Sequence, residues 1–146
     1  MGAEDEATFG LIPIVARGWA RKGSRPVVTI NHANRYTNVF AARSARSFVF
    51  SFSRRKRQKD FMRFMGKLSK RWGRVLLFVD SAPAHRGRRV EDFLSAHRKT
   101  FILEYFPKYT PELNPVEQCW KPGRRKLSNR LIKTLPAAQY HLRKIF

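Results

Sequence analysis

Residues 74–80, RVLLFVD, contain a continuous apolar run that ends in an aspartate. A run without polar alternation is typical of a strand that is buried on both faces of a sheet. Such a strand requires a helix to cover it, and residues 87–99 supply one, because their apolar side chains recur at helical spacing. A second apolar run, residues 100–106, then predicts a parallel neighbour. This alternation indicates an α/β domain.

The residues upstream of this strand predict further strands followed by one helix. Segments rich in β-branched and aromatic residues favour extended structure, and we expect it at residues 7–15 (interrupted at Pro13), 27–30, 38–42 and 47–52. Residues 56–71 then place apolar side chains at helical spacing with basic residues opposite them, which predicts an amphipathic helix. The fold class is therefore predicted as α/β, with helices flanking a mixed central sheet whose early strands are antiparallel and later strands parallel.

The segment NPVEQCWKPGRRKLSNRLIK, residues 114–133, predicts a helix in the last part of the chain. Asn114 is a suitable N-cap, and Pro115 suits the first helical position, where its missing N–H is not needed. Pro122 removes a backbone donor inside the pattern, so we expect the helix to kink or end there and to resume afterwards.

The balance of charge limits the class of partner. The chain of 146 residues has 31 Lys and Arg against 10 Asp and Glu, which gives a net charge of +21. A polyanion neutralises such an excess most easily, and phosphate contacts favour basic side chains, so nucleic acid is the expected partner. The hydrophobic content of 42% is enough for a single folded domain, which we expect over residues 1–146.

Composition also excludes several classes of protein. The single cysteine, Cys119, excludes an internal disulfide and a cysteine-rich zinc site, which fits a reducing compartment. No apolar run approaches the roughly 18 residues of a membrane span, and the acidic start MGAEDE is unlike a signal peptide. We therefore expect a soluble, cytoplasmic protein with no membrane partner. The sequence has no glycine-rich phosphate loop, zinc-finger spacing or Ser/His/Asp arrangement.

Two basic runs, RRKRQK at residues 54–59 and KPGRRK at residues 121–126, contain no acidic side chain. A charge run is usually a solvated face, but the solvated faces of ordinary domains mix both signs. The single sign favours contact with phosphates. The predicted contact residues are Arg54, Arg55, Lys56, Arg57, Arg86, Arg88, Lys121, Arg124, Arg125 and Lys126.

Asp80 lies where ligands gather in α/β sheets, at the carboxyl end of a parallel strand. Its carboxylate either binds a metal or caps the turn into the next helix. His85 has three alternatives: it orients a nearby group, contacts phosphate, or is a polar residue at a helix start. Glu117 either completes a capping box with Asn114 or is a carboxylate held in place by turn residues. Local chemistry leaves these alternatives open.

Asp5 and Glu6 precede the first extended segment, where they form either an exposed acidic tail or part of a site. With Asp80 and Glu117, Asp5 places three carboxylates at strand ends and a helix start in a strongly cationic chain. Mg²⁺ prefers oxygen ligands and keeps open positions for substrate phosphates. The three positions together therefore resemble a metal site.

Three blocks of the sequence resemble the DDE transposases, and among them the prokaryotic insertion-sequence branch of the Tc/mariner superfamily. The blocks are EDEATFGLIPIVARGWARKGSRP, VLLFVDSAPAHRGRRV and LEYFPKYTPELNPVEQCWK. They occur in the family's order over nearly the whole chain, and the third is the most specific. The resemblance implies an RNase H-like fold. It also implies an enzyme that cleaves DNA at insertion-sequence ends and joins it to target DNA.

By matching position, the resemblance assigns the catalytic carboxylates to Asp5, Asp80 and Glu117. In such enzymes these residues hold two Mg²⁺ or Mn²⁺ ions, one activating a water and later a 3′-hydroxyl, the other stabilising the leaving oxygen. The resemblance also implies a homodimer on paired transposon ends and a nucleoid-associated protein. The residues expected to hydrogen-bond the ligands or contact phosphate are Ser81, His85 and Asn114.

Three features depart from the family pattern. Ser81 stands where the family usually has Asn, and its shorter side chain is expected to alter the hydrogen bonds near Asp80. No helix-turn-helix module precedes the domain, so we expect a partner chain that supplies one. Only MGAE precedes Asp5, so we expect a truncated first strand. Two alternatives stay open: a transposase remnant that binds nucleic acid without catalysis, and an RNase H-like metal-dependent nuclease.

Overall fold

The computed structural model of the protein describes residues 1–107 and 110–146, so two residues of the third block, Lys108 and Tyr109, lie outside the described part. The regular elements in chain order are β1 (Gly2–Gly10), β2 (Tyr36–Arg43), β3 (Phe48–Ser53), α1 (Gln58–Trp72), β4 (Val75–Val79), α2 (Arg88–Ala96), β5 (Phe101–Tyr105), α3 (Glu117–Leu127) and α4 (Leu135–Arg143). Short 3₁₀ helices cover Pro83–His85 and Pro111–Leu113.

The five strands form one mixed sheet in the order β3-β2-β1-β4-β5. The early strands are antiparallel, because β1 pairs with β2 from Ala3 to Gly10 and β2 pairs with β3. The later strands are parallel, since β4 pairs with β1 at Gly2 and Ala3 and with β5 along its whole length. The predicted mixed sheet is therefore confirmed.

The strand predicted at residues 27–30 is wrong. These residues lie in the connection between β1 and β2, which has no strand in the described structure. β2 is paired on both edges, whereas β1 pairs with β4 only at Gly2 and Ala3, and residues 27–30 pair with neither strand. Val27 is 91% exposed. A β-branched run favours a strand only where a half-buried sheet surface receives it.

The first strand begins earlier than predicted, and this changes the surroundings of the acidic segment. Asp5 is the fourth of nine strand residues and lies opposite Ala41 of β2. Glu4 is completely buried. The alternative of an exposed acidic tail is therefore wrong, because residues 4–6 lie inside the central strand of the sheet.

Helices cover both faces of the sheet, as predicted. On one face, α1 buries the four apolar residues that define its predicted stripe, Phe61, Phe64, Met65 and Leu68. They pack against β2 and β4 in a single core cluster. On the other face, α3 and α4 pack against β1 through a second cluster. The central strand therefore has a different helical layer on each side.

The last two helices differ from their predicted course. Helix α3 begins at Glu117, two residues after Pro115, and continues through Pro122 to Leu127. Pro122 lies on the exposed side of α3, where water can hydrate the carbonyl that loses its partner. A separate helix, α4, then begins after Thr134, whose Oγ1 accepts a hydrogen bond from the backbone N–H of Ala137. Among the described residues, no helix is both long enough and apolar enough to cross a membrane.

Candidate active site

A cleft of about 500 Å³ lies at the edge of the sheet where β4 and β5 end and α3 begins. Its lining includes Asp5, Asp80 and Glu117, which come from three separate blocks of the sequence. Ser81 and Asn114 also line the cleft. The structure thus brings together the three carboxylates that the sequence analysis selected, although 36 or more residues separate each from the next along the chain.

Asp5 projects from β1 towards α3. Its Oδ2 accepts a hydrogen bond of 2.6 Å from Nε1 of Trp120. Burial raises the pKa of Asp5 to about 6, and the nearby carboxylate of Glu117 adds to this, while the bond from Trp120 opposes it. A partly desolvated carboxylate beside a second one attracts positive charge.

Asp80 follows β4 directly and is held through one oxygen. Its Oδ1 accepts hydrogen bonds from the backbone N–H of Ala82 (2.8 Å) and from Nδ1 of His85 (2.9 Å). The bond from His85 is the main reason why the pKa of Asp80 lies below its ordinary value. The carboxylate caps its own turn with Oδ1, yet its side chain is 54% exposed towards the cleft. The capping alternative and the ligand alternative are therefore compatible.

Glu117 is exposed at the first turn of α3, and Asn114 fixes this turn against β1. The side-chain amide of Asn114 donates to the backbone oxygen of Glu4 at 3.0 Å, and its Oδ1 accepts from the backbone N–H of Val116 at 3.1 Å. The capping-box alternative is wrong, because the backbone N–H of Asn114 donates to Pro111 rather than to Glu117. Asn114 bonds only to backbone groups in the described structure, and so it positions the start of α3.

His85 lies behind Asp80 and does not line the cleft. Its side chain is fully buried, with Nε2 lying 3.1 Å from Oε2 of Glu4 and 3.3 Å from Oε1 of Glu6. Burial opposes the charged ring, but the hydrogen bond to Asp80 and the nearby acidic groups of Glu4 and Glu6 outweigh it and raise the pKa of His85. The imidazolium therefore donates from Nδ1 to Asp80. A phosphate contact by His85 is inconsistent with this burial.

Ser81 and Arg86 form the opposite rim of the cleft. The guanidinium of Arg86 donates from Nη2 to Oγ of Ser81 and lies 4.9 Å from the centre of the Tyr105 ring. Arg86 lines the cleft itself. Ser81 thus holds a basic side chain at the rim.

The sequence profile of the DDE superfamily endonucleases matches residues 3–138, nearly the whole chain. The chain belongs to the DDE superfamily endonucleases. No curated protein matches it by sequence. The family assignment therefore rests on the profile, and the solved structures below add the fold.

Solved structures of the Mos1 transposase resemble this DDE endonuclease chain. A Mos1 paired-end complex with the left transposon end is 15% identical, with a TM-score of 0.74, over 99% of this chain and 47% of that one. A Mos1 mariner paired-end complex with Mn has a TM-score of 0.75 at 15% identity, over 99% and 47%. The Mos1 catalytic domain has a TM-score of 0.68 at 14% sequence identity, and the match covers 99% of this chain and 68% of that one. The chain spans about half the length of the full Mos1 chains, and the expected RNase H-like fold is confirmed.

Two functional residues of the DDE chain are not indicated by its sequence patterns. Trp120 is only one letter of the third block, and Glu4 belongs to no predicted site. The only signal for Glu4 is its spacing of two residues from Glu6, which puts both on one face of a strand. The ligand atoms of Glu4, Glu6 and His85 lie within 4.8 Å of one another. Burial raises the pKa of Glu4 to about 8, and the nearby His85 only partly opposes this, so Glu4 keeps its proton at neutral pH.

The predicted phosphate contacts fall on separate parts of the DDE chain. Arg86 lies at the cleft, as described above. The residues 54–57 line a second cleft of about 620 Å³ between β3 and α1, together with Tyr36 and Asn38. Arg88 begins α2, and Lys121, Arg124, Arg125 and Lys126 lie along α3, with all but Lys126 exposed. The structure thus places Arg86 at the carboxylates and the other basic residues on surrounding surfaces.

Proposed function

We propose that this chain is the catalytic domain of a transposase, which cleaves DNA at transposon ends and joins the cut 3′ end to target DNA. One observation carries the proposal: Asp5, Asp80 and Glu117, from three distant parts of the sequence, line one cleft at the edge of an RNase H-like sheet. Arg86 adds a basic side chain at the same rim. The prokaryotic insertion-sequence branch is our assignment within the family.

The three carboxylates fit a pair of divalent cations. Carboxylate oxygens are the ligands that Mg²⁺ and Mn²⁺ prefer. Burial first, and the like charge of Glu117 after it, raise the pKa of Asp5, and a bound cation relieves both costs. We therefore propose that Asp5, Asp80 and Glu117 hold two Mg²⁺ or Mn²⁺ ions. Solved Mos1 paired-end complexes include one with Mn and one with Mg.

The protein groups have separate tasks in this proposal. Bound divalent cations supply activation of the attacking oxygen and stabilisation of the leaving oxygen. Asp5, Asp80 and Glu117 fix the position of that chemistry, and His85 and Trp120 hold two of them by hydrogen bonds. Arg86 lies where it can bind the phosphate of the strand that is cut. The wider basic surface, with a net charge of +21 over the chain, attracts the DNA backbone.

We also propose the assembly in which the domain acts. The DNA partners are transposon ends and target, since the Mos1 complexes are those of a transposase with a transposon end and after strand transfer. We propose a homodimer on paired ends and a helix-turn-helix partner chain or segment that recognises the end sequence. Such a protein is cytoplasmic and nucleoid-associated.

Cleavage of a supercoiled plasmid that carries the element ends tests the proposal, with Mg²⁺ or Mn²⁺ present and a metal-free control. Asp80→Asn and Glu117→Gln are expected to abolish nicking, because each removes one carboxylate from the cleft. The matched controls are Asp92→Asn and Glu91→Gln, which make the same changes at exposed positions of α2. Nicking that survives in the cleft variants overturns the assigned site.

Strand transfer separates the proposal from its alternatives. A labelled end with a free 3′-hydroxyl is expected to become joined to plasmid DNA. Nicking without joining indicates an RNase H-like nuclease. DNA binding without nicking, with helix-turn-helix partner supplied, indicates a binding-only remnant, which the basic surface alone would support.

A further inference from the structure

We propose that Trp120 is the positioning residue for Asp5, which fixes one carboxylate oxygen with its indole N–H and leaves the other oxygen for the metal. The inference rests on the proposed function, because it takes Asp5 as a metal ligand. It goes further by assigning the two oxygens of that ligand different tasks.

The geometry of Trp120 suits this task. Its Nε1 lies 2.6 Å from Oδ2 of Asp5, and an indole nitrogen can only donate. The ring is 2% exposed and packs edge-on against Phe9 and Phe146, at 6.2 and 5.6 Å between ring centres. Because the ring is held by the core, the donor cannot follow a shift of the carboxylate. Asp5 must instead adopt the orientation that Trp120 sets.

Asp80 shows the same division between its oxygens. Its Oδ1 accepts from Ala82 and His85, and no hydrogen bond within the described residues involves its Oδ2. For Asp5, likewise, the side-chain bond from Trp120 engages Oδ2. Each aspartate thus has one oxygen held by a hydrogen bond from a buried ring, and for Asp5 the backbone N–H of Glu6 is a further, weaker neighbour of the carboxyl. Hydrogen bonds of this kind orient metal ligands in many proteins.

Trp120 also relates Asp5 to the third carboxylate. It lies three residues after Glu117 on α3, so the two side chains belong to adjacent turns of one helix. The start of that helix is joined to β1 a second time, through the bond from Asn114 to the backbone oxygen of Glu4. These two links fix α3 against β1, and therefore fix Glu117 relative to Asp5.

The test compares two tryptophan-to-phenylalanine variants. Trp120→Phe keeps an aromatic ring in the core and removes the N–H donor. Trp72→Phe is the matched control, because Trp72 also donates an indole hydrogen bond, partly buried and 3.1 Å to Oγ of Ser47, outside the cleft. Mn²⁺ binding to the DNA-free protein is measured by the electron paramagnetic resonance of free Mn²⁺. We expect Trp120→Phe to weaken binding by roughly tenfold to a hundredfold, and Trp72→Phe to leave it unchanged.

Indole N–H signals in proton–nitrogen correlation spectra provide a readout on the wild-type protein. The chain has three tryptophans, and the two Phe variants assign the signals of Trp72 and Trp120. We expect Mg²⁺, and separately Asp5→Asn, to move the Trp120 signal and not the Trp72 signal. This measurement stands even if Trp120→Phe fails to fold, which circular dichroism checks.

The outcomes separate this inference from the proposed function. The positioning role is overturned if Mn²⁺ binding is unchanged in folded Trp120→Phe, or if Mg²⁺ does not shift the Trp120 signal. If the wild type still nicks DNA when either result is found, the proposed function stands and only the positioning role of Trp120 fails. If the Trp120 signal and Mn²⁺ binding behave as expected but no DNA is cut or joined, the positioning role stands and the proposed function fails.

Discussion

The Nδ1 atom of His85 lies 2.9 Å from Oδ1 of Asp80, so a fully buried imidazole holds a carboxylate that faces the cleft. On its other side the same ring meets Glu4 and Glu6. The position of Asp80 therefore depends on charges that lie inside the sheet and never reach the cleft surface.

Replacing this ring is expected to affect both stability and cleavage. His85→Ala leaves the buried Glu4 and Glu6 side chains without their imidazole neighbour, which costs about 1–3 kcal/mol. It also releases Asp80, so cleavage is expected to fall roughly tenfold to a hundredfold. Urea denaturation and the plasmid assay measure the two effects. His32→Ala, at an exposed position, serves as the control. Full cleavage in a folded His85→Ala protein contradicts the role of this bond.

The pKa of Asp5 predicts how stability depends on pH. This pKa is raised from 3.8 to about 6, so between these values the folded protein keeps a proton that the unfolded chain has released. Stability therefore falls as the pH rises through this interval and stays lower above it. The Asp5→Asn side chain cannot ionise. The free energy of unfolding of this variant is therefore expected to exceed that of the wild type by at most about 3 kcal/mol at about pH 7.5, and the difference should vanish near pH 4.

Urea denaturation with a metal chelator at the two pH values checks this expectation. Asp92→Asn changes the same group at an exposed position of α2 and should give no pH-dependent difference. An Asp5→Asn protein whose advantage is equal at both pH values would show that the burial of Asp5 does not govern its ionisation.

Close packing at the start of β1 gives a third prediction. A Cβ added to Gly2 would lie 2.7 Å from the backbone oxygen of Arg43 and 2.7 Å from the Trp72 ring. Gly2→Ala is therefore expected to cost about 1–3 kcal/mol through overpacking. Gly66→Ala is the matched control, since its Cβ meets no atom within 4 Å and alanine favours a helix by about 1 kcal/mol. Thermal denaturation should show opposite signs for the two variants.

Salt dependence distinguishes phosphate contacts from solvated charge. Arg54→Gln with Arg55→Gln removes two basic groups from the second cleft. If both contact phosphates, the slope of log K against log salt for DNA binding should become shallower by roughly 2. Arg98→Gln with Lys99→Gln removes the same charge at exposed residues after α2. If the two double variants show the same slope of log K against log salt, Arg54 and Arg55 belong to a solvated face and do not contact phosphates.

Much of the fold was predictable because its signals are local. The continuous apolar run before Asp80 does become a parallel strand, although one face is buried and the other, with Leu76 and Phe78, is half-buried, and the four apolar residues of α1 are those buried. The absence of a strand at residues 27–30 was not predictable, because a β-branched run forms a strand only where a half-buried sheet surface receives it, and the sequence does not show that Val27 is exposed.

The candidate site was predictable in its carboxylates but not in the groups that hold them. The resemblance supplied Asp5, Asp80 and Glu117 by position. The bond from Trp120 to Asp5 joins residues 115 positions apart, and no local pattern reports such a contact. The burial of Glu4 was hidden for a different reason: acidic residues are almost never fully buried unless they are paired, and its partner lies in another block.

The alternation along β1 has a consequence for folding fidelity. Glu4 and Glu6 point to the α1 side, where Nε2 of His85 lies within 3.3 Å of both, while Asp5 points to α3. A slip of one residue would exchange these faces. Two carboxylates would then enter the apolar layer of α3, and His85 would face a single one. The segment EDE thus disfavours a misaligned register of β1, because a slipped strand would bury acidic side chains without partners.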